Sequence, residues 1–246
     1  MSERTTGIGS IAGFLLILMA AGGDMQASVT SDIQALAPMQ PYIGEWRGVG
    51  QAKLGSNEGA WREESTWTWR FTGGRAELVA QLSGNKYYTV FQLQAGEKPG
   101  LFVLLGTIVT DKFVDGKRLP QRLTGMLAGD ALVLTADKPQ DGQPDRISLR
   151  LVAAGDRIRV LYEKRLNDGA YSRLAEVDLT RKGSSFAKAL ASGPRCVVTG
   201  GPATIPVEHK DRKYYVCCSG CRDYFREDPE AVLAEYRRRE AAEKPE

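Results

Sequence analysis

The chain reads as mainly β: an up-and-down antiparallel barrel followed by a small α+β cysteine module built from a hairpin and helices. The first observation behind this is alternation with a period of two. Trp67, Trp69 and Phe71 share one face of a segment whose other face holds Thr66, Thr68 and Arg70. Ile147, Leu149 and Leu151 repeat the pattern against Arg146, Ser148 and Arg150, and so do Ile158, Val160 and Tyr162 against Arg157, Arg159 and Glu163. The second observation is the punctuation. Gly73-Gly74, Asp115-Gly116, Asp141-Gly142, Gly155-Asp156 and Asn167-Asp168-Gly169 all favour tight reversals. The third is that all four cysteines, Cys196, Cys217, Cys218 and Cys221, fall in one short stretch near the C-terminus. Strands linked by short turns form a meander, and a meander of about eight to ten strands avoids exposed edges most simply by closing into a barrel. The barrel is expected over residues 40–182.

The elements follow in order. Ile8 to Gly23 is an almost unbroken run of apolar and small residues with Arg4 ahead of it, ending in Ala20-Ala21-Gly22-Gly23 before Asp24. This predicts a secretory signal peptide over residues 1–27, a mature chain beginning between Gly22 and Ser28, and a periplasmic or secreted protein. The alternative is an N-terminal membrane anchor, because Glu3 offsets Arg4. The run is shorter than the ~20 residues a spanning helix prefers. No second long apolar segment follows, so no membrane span is expected after cleavage. An apolar, proline-containing lead-in, Leu36 to Ile43, precedes a first strand marked by Gly44-Glu45-Trp46, Gly48 and Gly50. Residues 183–194, with Ser184, Ser185, Ser192 and Gly193, have the composition of an interdomain linker. Few contacts are expected across it.

The cysteine module occupies residues 195–240. Thr199-Gly200-Gly201 reads as a turn, Val207 to Val216 as a short hairpin, and Ser219 onward as a helix. Cys217 would then close the second strand and Cys221 lie in the first helical turn, their sulfurs facing a common point, with Cys196 arriving from the other side of the hairpin. A helix N-terminus lowers a thiol pKa and favours the metal-binding thiolate. Beyond Pro229, Val232, Leu233 and Tyr236 recur at helical spacing and are expected to pack on this knuckle. A core this small gains much from a structural ion. Thiolates select soft or borderline ions, so zinc or copper(I) is the expected cofactor. An even cysteine count in an exported protein equally suits a disulfide framework. The fourth ligand is open between Cys218, His209, water and a partner protein. Cys218 is the weaker candidate, since neighbouring ligands require an irregular backbone and an extended approach points it away from Cys217. His209, the only histidine, stands between Glu208 and Lys210 and reads as solvent-facing.

Two resemblances rest on these residues. The spacing Cys-x20-Cys-x3-Cys, with Lys213-Tyr214-Tyr215-Val216-Cys217-Cys218-Ser219-Gly220-Cys221-Arg222, Phe225 and Asp228-Pro229-Glu230, resembles the TRASH/YHS family of small metal-binding modules. The resemblance covers roughly Arg195 to Tyr236 and implies that Cys196, Cys217 and Cys221 are ligands in heavy-metal handling. Many members open with Cys-x2-Cys, and here Thr199 takes the second place. The segment from about 40 to 182, with Gly44-Glu45-Trp46 at its start and Leu179-Thr180-Arg181-Lys182 at its end, is similar to an uncharacterised bacterial lipocalin-like family. That match supports the fold more than a function.

Several function classes are disfavoured. The net charge of +3 is small, and the segment from Arg195 carries ten basic and ten acidic residues, so nucleic acid is not an expected partner. Arg237-Arg238-Arg239 reads as a solvated helix end. No enzyme is expected, for want of a Gly-x-Ser-x-Gly elbow, a His-Glu-x-x-His motif or any histidine in the barrel. Glu63 and Glu64 would point to opposite faces of a strand. The same lack of histidine argues against haem. Trp46, Trp61, Trp67, Trp69, Tyr88 and Phe91 could line a cavity for an apolar small molecule or simply fill the interior. Two functions therefore stay open. One is an exported metal-binding or metal-trafficking factor with a metal-handling partner. The other is a lipocalin-like carrier in which the cysteine module is a staple.

Overall fold

Ten strands run antiparallel from β1 (Gly44–Gln51) through β2 (Trp61–Thr72), β3 (Arg75–Ser83), β4 (Tyr88–Ala95), β5 (Leu101–Ile108), β6 (Pro120–Ala128), β7 (Ala131–Ala136), β8 (Arg146–Val152) and β9 (Arg157–Arg165) to β10 (Tyr171–Arg181). Each pairs with its sequence neighbour, and β10 returns to pair with β1, closing an up-and-down barrel. The architecture comes from a computed structural model, which describes residues 20–53, 55–109, 120–183 and 193–243. The Asp115-Gly116 turn, most of the expected linker and residues 1–19 of the expected signal peptide lie outside the described residues.

The period-two segments are strands with one buried face. In β2, Glu63, Ser65, Trp67 and Trp69 are buried while Arg62, Glu64 and Thr66 are exposed. The inward side chains pack on one another. Trp67 lies 6.4 Å from Phe91 between ring centroids, and Tyr88 lies 5.0 Å from Phe91 and 6.3 Å from Tyr162. Of the six aromatics considered as a cavity lining, Trp46, Trp67, Trp69, Tyr88 and Phe91 are buried in this core. Trp61 lies at the barrel edge with the Lys86 ammonium 4.3 Å from its ring centre. Glu163 departs from the predicted alternation. It is buried and accepts two hydrogen bonds from the Arg146 guanidinium, both at 2.6 Å, so the pairing offsets the cost of taking a carboxylate out of water.

One end of the barrel is capped by the lead-in. Helix α1 (Ala20–Ala35) and a 3-10 helix (Ala37–Tyr42) bury Val29, Ile33, Leu36, Met39 and Tyr42 against β3 and the barrel mouth. Packing thus begins well before residue 40, where the barrel unit was expected to start. Asp32 anchors α1, its carboxylate accepting from Arg75 Nε (2.7 Å), Arg75 Nη2 (2.9 Å) and the Ala76 amide (2.9 Å). Arg181, from the segment that closes the last strand, clamps the same end. Its guanidinium lies 4.0 Å from the Trp46 ring centre and donates to the carbonyls of Pro41 (2.6 Å) and Ile43 (2.8 Å). First and last strands are thereby tied through a pair of residues that the sequence marks at both ends of the domain.

After the barrel come a two-stranded hairpin, β11 (Ile205–His209) with β12 (Arg212–Val216), and helices α2 (Ser219–Glu227) and α3 (Pro229–Glu243). Val232 and Leu233 of α3 are buried, as the helical spacing predicted. This module does not stand apart from the barrel, contrary to the expectation of few contacts. Phe71 of β2 stacks on Tyr224 of α2 with centroids 4.2 Å apart, and α2 packs along β2. Among the described residues no helix is long and apolar enough to cross a membrane.

Candidate metal centre

Three short segments converge to build the site. The Arg195–Pro202 bridge opens a tight turn in which the Cys196 amide donates to Gly201 O (2.7 Å) and the Gly200 amide to Cys196 O (2.8 Å). The Val197 amide, donating to Tyr215 O at 3.0 Å, fastens that turn to β12. Cys217 follows β12 directly, Cys218 is the extended N-cap residue of α2, and Cys221 lies in the first turn of α2. The sulfurs of Cys196, Cys217 and Cys221 all lie within 4.8 Å of one another. That is the trio the spacing predicted, held by a turn, a strand end and a helix start.

Burial and hydrogen bonding distinguish the thiols. Cys196 and Cys221 are fully buried, and Cys217 is half-buried. Cys217 Sγ lies 3.6 Å from Cys221 Sγ and 3.7 Å from Thr199 Oγ1. Burial opposes ionisation of Cys196, but hydrogen bonds from the thiols of Cys217 and Cys221, and from the hydroxyl and amide of Thr199, outweigh it and hold its pKa below the ordinary thiol value. Thr199 therefore stabilises the Cys196 thiolate through both its hydroxyl and its amide. Cys217 moves the other way, since its proton is shared with Cys196 and Cys218, and Cys221 is pushed up by burial and by the same neighbours. Closely packed sulfurs cannot all ionise without a cation among them, and a thiophilic metal ion supplies that charge by displacing the protons. The donor set suits a metal ion: sulfur only, part-desolvated, on a backbone fixed by hydrogen bonds.

The two protein candidates for a fourth ligand are placed differently. Cys218 does not point away from Cys217 as expected. Its sulfur is 3.9 Å from that of Cys217, lies within hydrogen-bond reach of the Cys221 thiol and amide, and accepts the Trp69 amide hydrogen at 3.3 Å, so it sits between the sulfur trio and β2 of the barrel. His209 is partly exposed, as a surface residue of the hairpin; its Nε2 lies 2.9 Å from Glu230 Oε1 and its ring meets Phe225 edge-on. Arg239, expected at a solvated helix end, instead donates from its guanidinium to the carbonyls of Val197 (2.6 Å) and Val198 (2.7 Å). It braces the turn that carries Cys196. No sequence signal separates Arg239 from Arg237 and Arg238, because its partners lie about forty residues away.

No protein-family model matches the chain, and no curated protein matches it. Among solved structures, the chain is similar to that reported as the crystal structure of Rv2717c from M. tuberculosis, at 16% identity over 60% of this chain and 96% of the other, with a TM-score of 0.38.

Proposed function

We propose that this chain is an exported metal-binding protein whose Cys196, Cys217 and Cys221 together hold one zinc or copper(I) ion, in metal sensing or trafficking rather than catalysis. The observation that carries this reading is the convergence of three sulfurs from three separate segments within 4.8 Å of one another. A disulfide within the trio uses two of its sulfurs and leaves the third unpaired or to Cys218; a metal ion uses all three. Thr199 at the site and the half-burial of Cys217 leave a side from which water or a ligand from a partner protein completes the coordination. Export rests on the apolar run before Asp24 and on the small residues that end it.

The staple reading shares the ion but makes it inert, and the complete burial of Cys196 and Cys221 favours it. Exchange decides between the two. The reduced full chain is loaded with zinc, followed by native mass spectrometry, free-thiol counting and transfer to a competing chelator. One ion per chain, with three thiols protected and transfer within minutes, supports handling. One ion retained for days supports the staple, and a chain with no ion and an internal disulfide removes the metal reading.

A further inference from the structure

Between Cys217 and Cys221 lie Cys218, Ser219 and Gly220, and this tripeptide is where the module meets the main chain of the barrel. β1 pairs with β2 only as far as Gly44 opposite Trp67, so beyond Trp67 the β1-facing edge of β2 has no strand on it. Trp69 spends its amide on Cys218 Sγ at 3.3 Å. Its carbonyl oxygen sits over Gly220, where an added Cβ would come within 1.6 Å of it. Glycine at 220 is therefore required by a backbone contact across the two parts of the molecule, independently of the helix it starts. The second ligand-bearing segment reaches the same residue from another direction. The Trp69 indole donates to Gln40 Oε1 at 2.9 Å, and the Gln40 side chain packs on Gly201 at the end of the Cys196 turn, where a Cβ would lie 2.4 Å from its amide nitrogen.

We propose that Cys218 is a positioning residue rather than a metal ligand, and that metal loading and docking of the module on the barrel edge are coupled through Trp69. This rests on the metal reading above. An ion bound by Cys217 and Cys221 pins both ends of the docking tripeptide, and its bond to Cys196 fixes the turn that holds Gln40 beneath the Trp69 indole. The loaded module covers the unpaired edge of β2 beyond Trp67. Without the ion, the segments lose their common anchor and the edge opens more often. Coupling of this kind is reciprocal: what loosens docking weakens metal binding by the same factor.

The test is hydrogen exchange of the full chain, reduced and either zinc-loaded or chelator-treated, read over residues 68–72 and 217–224 alongside zinc stoichiometry and affinity. Both segments are expected to exchange at least tenfold faster without zinc, while β6 to β8 stay unchanged. Gly220→Ala is expected to keep one zinc per chain, lose the zinc-dependent protection at 68–72 and bind about tenfold more weakly. Gln40→Ala, which touches no cysteine and keeps the falsifying power if Gly220→Ala misfolds, is expected to move both readouts in the same direction. Cys218→Ser is expected to retain one zinc, and its loss would make Cys218 a ligand and overturn the assignment. Zinc bound at one per chain with unchanged exchange at 68–72, or unchanged affinity in both Gly220→Ala and Gln40→Ala, overturns the coupling and leaves the metal reading standing. No zinc binding at all overturns both.

Discussion

Replacing Asp32 by alanine removes the contact that fastens helix α1 to the barrel. Asp32 is 5% exposed and accepts three hydrogen bonds, two from Arg75 and one from the Ala76 amide. The Arg75 side chain is 61% exposed, so solvent screens the ion pair and holds its contribution to about 1 kcal/mol. The Ala76 amide is the larger loss. Ala76 is buried and its N–H is turned to Asp32, so Asp32→Ala leaves it without an acceptor at a cost of about 1–3 kcal/mol. Together these give about 3 kcal/mol, or about 6–12 °C in Tm for a chain of this size. Asp32→Asn keeps one oxygen for the Ala76 amide and sacrifices mainly the charge, so it is expected to cost about 1 kcal/mol. Thermal and urea unfolding of the full chain measure both variants. A loss under about 0.5 kcal/mol for Asp32→Ala, or equal losses for the two variants, would contradict this role for Asp32. The first result would place α1 outside the cooperative unit, and the second would put the energy in the ion pair.

Three further outcomes are expected. Glu63 is buried, with its pKa raised by desolvation despite hydrogen bonds from Asn85 and Trp61. The folded state therefore holds its proton more tightly than the unfolded one, and stability falls as pH rises from the ordinary carboxylate range through the raised value. Glu63→Gln is expected to raise stability by about 1–3 kcal/mol at neutral pH, with the gain vanishing below about pH 4; a gain that persists in acid would contradict this. Arg181→Lys keeps the charge but loses the planar contact on Trp46 and one or more of the carbonyl hydrogen bonds, and a Tm lowered by several degrees is the expected outcome, with an unchanged Tm counting against the clamp. Because Cys217 and Cys221 hold protons that a metal displaces, zinc affinity is expected to rise about tenfold or more per pH unit near neutrality, measured by chelator competition; a flat profile would mean the thiols are not the ligands.

What the sequence made legible was local. Alternation in β2, β8 and β9 marks a buried face directly, and turn pairs such as Gly73-Gly74 and Asp168-Gly169 mark reversals, so a closed meander follows from short-range signals. The cysteine trio was legible for the same reason: a strand end and the first turn of the following helix fix where Cys217 and Cys221 point. The misread features depend on partners far along the chain. α1 lacks a clear apolar face and merges with the apolar run before it, and its anchor is an acid that meets Arg75 only after folding. Gly220 looks like an ordinary helix-start residue until the Trp69 carbonyl is placed over it. Linker composition suggested two independent parts, yet composition says nothing about Phe71 meeting Tyr224 or Trp69 meeting Cys218.

The docking also bears on what the barrel contributes. Docking on the β2 edge adds to the module's own buried cluster, which includes Val207, Val216, Phe225, Val232 and Leu233, and a rigid backbone would hold the sulfurs in place before an ion arrives. That preorganisation reduces the ordering cost of binding. The barrel then serves as the platform of the site, and its filled core gives the platform its stiffness.

Binding of one ion by three thiolates, those of Cys196, Cys217 and Cys221, is open to direct observation. X-ray absorption at the metal edge of the zinc-loaded or copper(I)-loaded full chain reads the sulfur shell itself. One ion per chain with three sulfur neighbours, at about 2.3 Å for zinc, is expected, with loss of that sulfur shell in Cys221→Ser. A shell dominated by oxygen and nitrogen, or a spectrum unchanged by Cys221→Ser, would contradict it.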